Sequence, residues 1–317
     1  MTPSWIGPET VRLAAAHVAG RLSHALLIHE DPGAGGEWLA LWTAQRVLCT
    51  ASAQAPCGQC TACRWVAAGQ HPDFLALRPI EDSRQIRIEQ IRELSQELAL
   101  TAHQGSYKVA LISPADALNR FAANALLKTL EEPPARTLLL LVATQPSRLP
   151  ATVLSRCQRV RIRAPSRSEA VAWLQNERAD GNWDAVLEVL GEAPMLAAES
   201  DPNAVVEVGR ETRRGLEEAA SGGTDPVSTA ERWARNELPL RLRCFEKWLT
   251  DRIRERVPGG AVLTEVRPGT HRSAGHTVLN IRELFAMLDE VRELKSALDA
   301  PINRGLALES LLRRLGG

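Results

Sequence analysis

The sequence predicts an α/β domain built on a parallel sheet, followed by two all-helical domains. Three observations point there. Short β-prone runs alternate with helix-length stretches as far as residue 163, several of those runs are continuously apolar, and beyond Ala164-Pro165 no such run recurs. A strand that is apolar at every position has both faces covered, which is the situation of a parallel sheet between layers of helices. A chain of 317 residues also exceeds the usual size of one domain.

Taken in order, the β-prone runs are Ala25–His29, Phe74–Arg78, Val109–Ser113, Thr137–Thr144 and Val160–Ile162. Helix-length stretches lie between them near residues 35–48, 88–100 and 119–131. Together they give an α/β domain over 1–163, with a cysteine module at 49–63 inserted after the first of these helices. Ser166 to Ala198 reads as two short helices, with Ser168 as N-cap ahead of Val171 and Leu174, and defines a small helical domain over 164–205. The polar stretch Ser221–Asp225 separates two helical segments of the remainder, 206–317. There Leu242, Phe245, Leu249 and Ile253 recur with helical spacing, as do Ile281, Leu284, Leu288, Val291 and Leu298. Pro258–His276, with four glycines and two prolines, reads as a connector between two helices of a bundle. Trp173 and Trp248 fall on apolar helical faces and are expected in cores.

Composition narrows the class. Lys plus Arg and Asp plus Glu number 38 each, a net charge of zero that argues against binding DNA through bulk charge. Apolar residues make up 44%, too many for disorder. The longest apolar run, Leu138–Ala143, is far short of the ~20 residues of a spanning helix. Met1–Thr10, interrupted by Pro3, Trp5 and Pro8, lacks the pattern of an export signal. A cytoplasmic protein with no membrane partner is expected.

Four of the six cysteines lie within fifteen residues: Cys49, Cys57, Cys60 and Cys63. Cys-x-x-Cys turns bring thiolates to one side, within reach of a tetrahedral Zn²⁺ at about 2.3 Å, and four such ligands close the site against hydrolytic chemistry. Free or redox-active thiols and an iron–sulfur centre share this kind of spacing.

The first β-prone run leads into a glycine-rich turn and a helix, the setting of a phosphate-binding G-x-x-x-x-G-K-[ST] loop. Aligned on Gly35, with Gly33 inside the loop, Glu30 replaces the first glycine, Gly36 the lysine and Glu37 the hydroxyl residue. The lysine that contacts β- and γ-phosphates and the hydroxyl that binds Mg²⁺ are both missing. Glu30 and Glu37 are expected to face the phosphate position, where like charges repel by several kcal/mol at intermediate dielectric. The strand Val109–Ile112 ends in Ser113-Pro114 where an ATPase would carry its acidic pair, and Asp116 reads as a helix cap or surface residue. The pattern is that of an ATPase scaffold without its catalysis.

Four stretches carry a resemblance. Asn124–Pro134 (NALLKTLEEPP), Leu149–Gln158 with its Ser155-Arg156-Cys157, the cysteine insertion followed by His71-Pro72-Asp73, and Asn303–Leu312 (NRGLALESLL) occur in the order found in the AAA+ clamp-loader subunits of bacterial DNA polymerase III. The chain resembles that family over nearly its whole length. The resemblance implies a RecA-like AAA+ sheet domain with an inserted zinc module, a helical lid and a C-terminal helical collar. It implies a hetero-pentamer of three motor subunits, delta and one further subunit, which opens the sliding clamp and places it on primed DNA with ATP held between subunits. A chain that keeps Ser-Arg-Cys but loses the lysine corresponds to the subunit that binds no ATP. An active ATPase motor of the same complex is the alternative, and a zinc-dependent nucleic-acid-binding regulator a third class that the neutral charge disfavours.

In this setting Arg156 is expected to be an arginine finger, because a planar, permanently charged guanidinium suits phosphate oxygens of a neighbouring site. Ser155 and Cys157 would position its loop. Thr144 falls where the family carries its first sensor and is taken as structural here. His71-Pro72-Asp73, a tripeptide also found in J-domains, follows the cysteines and opens a strand, so a capped turn is expected. Arg159, Arg161 and Arg163 alternate as on the solvent face of an edge strand.

Overall fold

The computed structural model describes every residue except 1, 52–54, 81–82, 84, 104–106, 257–279, 299–301 and 317. The expected connector Pro258–His276 therefore lies outside the described residues. The chain forms two compact units, residues 1–179 with 192–198, and residues 180–191 with 199–317.

In the first unit the strands are β1 (Ala25–Glu30), β2 (Phe74–Leu77), β3 (Lys108–Ile112), β4 (Thr137–Ala143) and β5 (Gln158–Ile162). They form one parallel sheet in the order β2-β3-β4-β1-β5. Each lies within two residues of its expected bounds. The longest apolar run is β4, buried at every position in the middle of the sheet. The helices are α1 (Gly7–Val18), α2 (Gly36–Leu48), α3 (Thr61–Ala67), α4 (Ile88–Ala99), α5 (Arg120–Glu131), α6 (Ala151–Leu154) and α7 (Arg167–Glu177).

Alternate strand positions feed two cores, as the period of a strand requires. Leu26, Ile28, Leu111 and Leu140 pack with Leu39, Ala40 and Ala44 of α2. Leu27, Ala110, Leu139 and Leu141 pack with Ile91 and Leu94 of α4, Leu126 of α5 and Val153 of α6. So the chain leaves β1 toward one face and β4 toward the other, and these two strands are neighbours, with His29 beside Ala143. In open α/β sheets the crevice beyond such a pair of carboxyl ends is the usual ligand position.

α1 begins at Gly7, with Pro8 in its first turn, where a missing N–H costs nothing. Two helical details differ from expectation. Ser166, not Ser168, caps α7. Its Oγ accepts from the Glu169 N–H, and its own N–H donates to Glu169 Oε2 at 3.0 Å, a reciprocal box set by the Ser-x-x-Glu spacing. The expected two short helices after Ser166 are three, since Gly191, at φ 75°, ends α8 (Trp183–Leu190) and Pro194 starts α9 (Pro194–Glu199).

The second unit holds α8, α10 (Pro202–Ala220), α11 (Pro226–Arg235), α12 (Leu238–Arg256), α13 (Ile281–Ser296) and α14 (Arg304–Gly316). Its core unites Leu242, Phe245, Leu249, Leu288 and Val291 with Trp233, Leu308 and Leu312, matching the expected periodicity. Ser221–Asp225 links α10 to α11, and Asp225 accepts from Val227 and Ser228 as N-cap. Arg241, only 2% exposed, is fully engaged: it donates to Glu211 at 2.9 Å, Thr212 at 3.0 Å and the Asn236 carbonyl at 3.0 Å. A buried guanidinium needs such partners.

Leu140→Ala, which empties the centre of β4, is expected to destabilise the first unit by about 2–5 kcal/mol. The urea unfolding midpoint measures it, and a loss within error of zero would contradict the central placement of this strand.

Candidate functional site

The glycine-rich loop joins β1 to α2 at that crevice. Gly33 and Gly35 adopt φ of 76° and 106°, conformations that favour glycine. The loop wraps back on the end of β1, so that Glu30 Oε2 accepts hydrogen bonds from the N–H groups of Gly35 at 2.9 Å and Gly36 at 2.7 Å. These amides open α2. Free N–H groups at a helix start form an anion site, and here the anion is the chain's own carboxylate. A Cβ built on Gly36 would lie 2.8 Å from Glu30 Cδ and 2.9 Å from Val142 Cγ1. The missing lysine and the added glutamate are thus one device: only glycine at 36 leaves room for Glu30 in this pose.

The outer side of the loop is covered as well. Trp5 Nε1 donates to the Ala34 carbonyl at 2.8 Å, and the Met195 N–H donates to the Gly33 carbonyl at 3.2 Å. A Cβ on Gly33 would meet Ala193 Cβ at 2.7 Å, and one on Gly35 would meet Ile6 Cδ1 at 2.6 Å and Met195 Cε at 2.8 Å.

Glu37 does not share Glu30's position. It pairs with Arg78, just past β2, through both carboxylate oxygens, and Oε2 also accepts from Ser113 Oγ at 3.1 Å. The sequence suggested two carboxylates aimed at one point. The structure gives each its own donors, so repulsion is held down by Arg78, Ser113 and the loop amides. Burial raises the Glu30 pKa above the ordinary value; the Gly36 and Gly35 N–H bonds oppose this, and the negative charges of Glu37 and Asp116 add to it. Asp116 is neither a helix cap nor a surface residue. Half-buried after β3, it accepts on Oδ2 from Thr144 Oγ1 at 3.2 Å and from the Gln145 N–H at 3.0 Å, tying the ends of β3 and β4 together. Thr144 thus has a structural role, as expected. Arg78, Trp5 and Met195 were not singled out from the sequence, because their meeting at the loop depends on tertiary placement.

The four cysteines converge. Cys49 closes α2, Cys60 caps α3, Cys63 lies in its first turn, and all four sulfur atoms are within 4.8 Å of one another. Gly58, at φ 70°, allows the tight turn between them. The Cys60 N–H points at Cys57 Sγ at 3.3 Å and the Cys63 N–H at Cys60 Sγ at 3.4 Å. At Cys60 burial pushes the pKa up, but the Cys63 and Thr50 N–H groups and the Thr50 hydroxyl outweigh it and bring the thiol to about 5. Cys63 is pushed up to about 12 by burial, reinforced by the neighbouring sulfurs. Four soft donors at this separation could hold a metal ion, and N–H···S bonds favour the thiolates it would need.

Arg156 follows α6. Its Nη1 donates to the Thr152 carbonyl at 2.9 Å and its Nη2 lies 2.6 Å from Glu131 Oε1, at the end of α5. Ser155 Oγ donates to the same carbonyl at 3.1 Å. Cys157 is buried in the core beneath α5 and α6, which pushes its thiol up to about 11. The tripeptide therefore presents a half-exposed cation between two fixed neighbours. His71 and Asp73 are buried in the turn before β2: the Asp73 N–H donates to His71 Nδ1 at 3.0 Å, and Asp73 Oδ1 accepts from the His103 N–H at 2.9 Å. Asp73 caps a loop, in keeping with a structural turn. Arg159 and Arg161 are exposed along the edge strand β5, and Arg163 just beyond it.

Comparison with known proteins gives a consistent picture. A family model described as "DNA polymerase III, delta subunit" matches residues 9–166. DNA polymerase III subunit delta' of Pseudomonas aeruginosa is 33% identical over 92% of this chain and 90% of its own. The subunit of the same name from Escherichia coli is 34% identical over 98% of this chain and 94% of its own. In fold, the chain is similar to a DNA polymerase III gamma subunit-related protein of Thermotoga maritima, with a TM-score of 0.52 at 17% identity over 98% of this chain and 99% of that one.

The seat of Glu30 has a pH signature. Its folded pKa is raised, so the native state holds more protons than the unfolded chain above roughly pH 4.3, and stability falls as pH rises through that window. Glu30→Gln keeps an oxygen for both amides and loses the proton. We expect the variant to gain stability relative to wild type between about pH 4 and pH 7, measured by urea unfolding. A constant difference across that range would contradict the buried-carboxylate assignment.

Proposed function

The chain belongs to the DNA polymerase III subunit delta' family, and on that premise we propose that it is the clamp-loader subunit that binds no nucleotide itself and completes the ATPase site of a neighbour. The observation that carries this reading is the Glu30 carboxylate on the Gly35 and Gly36 amides. A triphosphate entering this loop would have to displace a half-buried carboxylate and would find neither lysine nor hydroxyl. Trp5, Ile6, Ala193 and Met195 pack where a bound group would press the loop open.

Arg156 is the group this subunit contributes. Presented at the end of α6 and braced by Ser155 and the buried Cys157, its guanidinium would reach a γ-phosphate held by an adjacent motor subunit and stabilise charge developing during phosphoryl transfer. In well-studied cases such a finger is worth about 10³–10⁵ in rate. The partners are three motor subunits and delta in a hetero-pentamer, acting on the sliding clamp and primed DNA. The modular division into a sheet domain over 1–163, a lid over 164–205 and a collar over 206–317 belongs to the same reading, as does a cytoplasmic location. Among the described residues no helix is long and apolar enough to cross a membrane.

The metal is proposed to be a structural Zn²⁺ held by Cys49, Cys57, Cys60 and Cys63. All four coordination positions are filled by thiolates, so it would fasten the end of α2 to the start of α3 and take no part in hydrolysis.

Three outcomes are expected. Titration of the isolated chain with Mg·ATP gives no saturable binding in the micromolar range; tight binding would instead support an active motor. In the reassembled complex, Arg156→Ala abolishes the contribution of the adjacent ATPase site and impairs clamp loading, and unimpaired loading would reject the assigned role. Metal analysis finds about one zinc per chain, lost in Cys63→Ser together with a lower melting temperature. A brown, iron-bearing protein would overturn the zinc assignment.

A further inference from the structure

We propose that Glu131 is a positioning residue for Arg156: it holds the guanidinium in cis, in competition with the partner's phosphate, until the subunit interface forms. This rests on the reading of Arg156 as a finger. Glu131 is the last residue of α5 and Glu132 its C-cap, so two carboxylates stand where the helix carbonyls are already electronegative. A cation is favoured there, and the one that arrives is Arg156, with Nη2 at 2.6 Å from Glu131 Oε1 and Nη1 at 2.9 Å from the Thr152 carbonyl. Both nitrogens of the guanidinium fork are thereby engaged within the chain.

The strength of the contact suits a temporary hold. The side chains of Arg156 and Glu131 are 35% and 52% exposed. Ion pairs so open to water are weak, and shift populations by only about two- to fivefold. A γ-phosphate offers more charge and a matching pair of oxygens, which makes the stronger charge-assisted bond. The guanidinium can therefore be handed over, and until then it is kept from wandering over the surface. The same geometry gives a function to the Glu131 of the Asn124–Pro134 segment that packing does not supply, since its side chain contributes nothing to the core beneath it.

The test uses the reassembled complex with Glu131→Gln, alone and combined with Arg156→Ala. Glu131→Gln is expected to raise kcat/KM of the complex for ATP by about two- to fivefold at low salt. The gain should shrink as ionic strength rises, and Glu131→Gln should have no effect in the Arg156→Ala background. An unchanged melting temperature shows that the variant folds. A gain that persists without Arg156 would overturn the proposal, because Glu131 would then act elsewhere. No change or a loss with Glu131→Gln, while Arg156→Ala alone is severe, also overturns it and leaves the finger intact. If Arg156→Ala alone has no effect, the finger reading fails, and the hand-over fails with it.

Discussion

One carboxylate on two amides organises the carboxyl edge of the sheet in this protein. A glycine loop at the start of a helix exposes N–H groups that must bind something, and in this chain they bind Glu30. The consequences spread outward. Glycine is required at 36 to leave room for the glutamate, and the loop carbonyls are free to accept from Trp5 and Met195. The helix start keeps its negative partner with no ligand present. The loop amides are thus satisfied by covalently attached groups.

The neighbouring charges follow the same economy. Glu37, set one position beyond Gly36, is drawn off by Arg78 and Ser113, and Asp116 is spent on Thr144 and the Gln145 amide. Glu30, Glu37 and Asp116 thus each have donors of their own. Arg156 follows the short helix α6 over a well-packed core, held by Glu131 and the Thr152 carbonyl. The cysteine module lies at the junction of α2 and α3.

Much of this was legible in the sequence. The strands of the sheet follow from continuous apolar runs, and β4, the longest of them, lies at the centre for the reason it is long: neighbours cover all of its sides. The candidate metal ligands follow from Cys-x-x-Cys spacing, and the altered loop from three replacements at defined positions, Glu30, Gly36 and Glu37. Less was legible where meaning depends on tertiary placement. That Glu30 fills the loop rather than merely repelling phosphate needs the fold of residues 30–36 in three dimensions. Asp116 looked like a helix cap or surface residue because its partners, Thr144 and Gln145, follow β4, 28 and 29 residues later. α1 carried no expectation from the sequence; Pro8 falls in its first turn, where proline fits. Ser168 stands at apolar spacing from Val171 and Leu174, but the Ser-x-x-Glu pattern of Ser166 and Glu169 fixes the cap.

The most direct test follows the Gly35 and Gly36 amides themselves by nuclear magnetic resonance. If Glu30 occupies the loop, both amide signals shift with pH together with the Glu30 side-chain carboxyl, at a midpoint above the ordinary glutamate range, and added inorganic phosphate leaves them unmoved at neutral pH. Amide signals that ignore the Glu30 titration and shift saturably with phosphate would contradict the account.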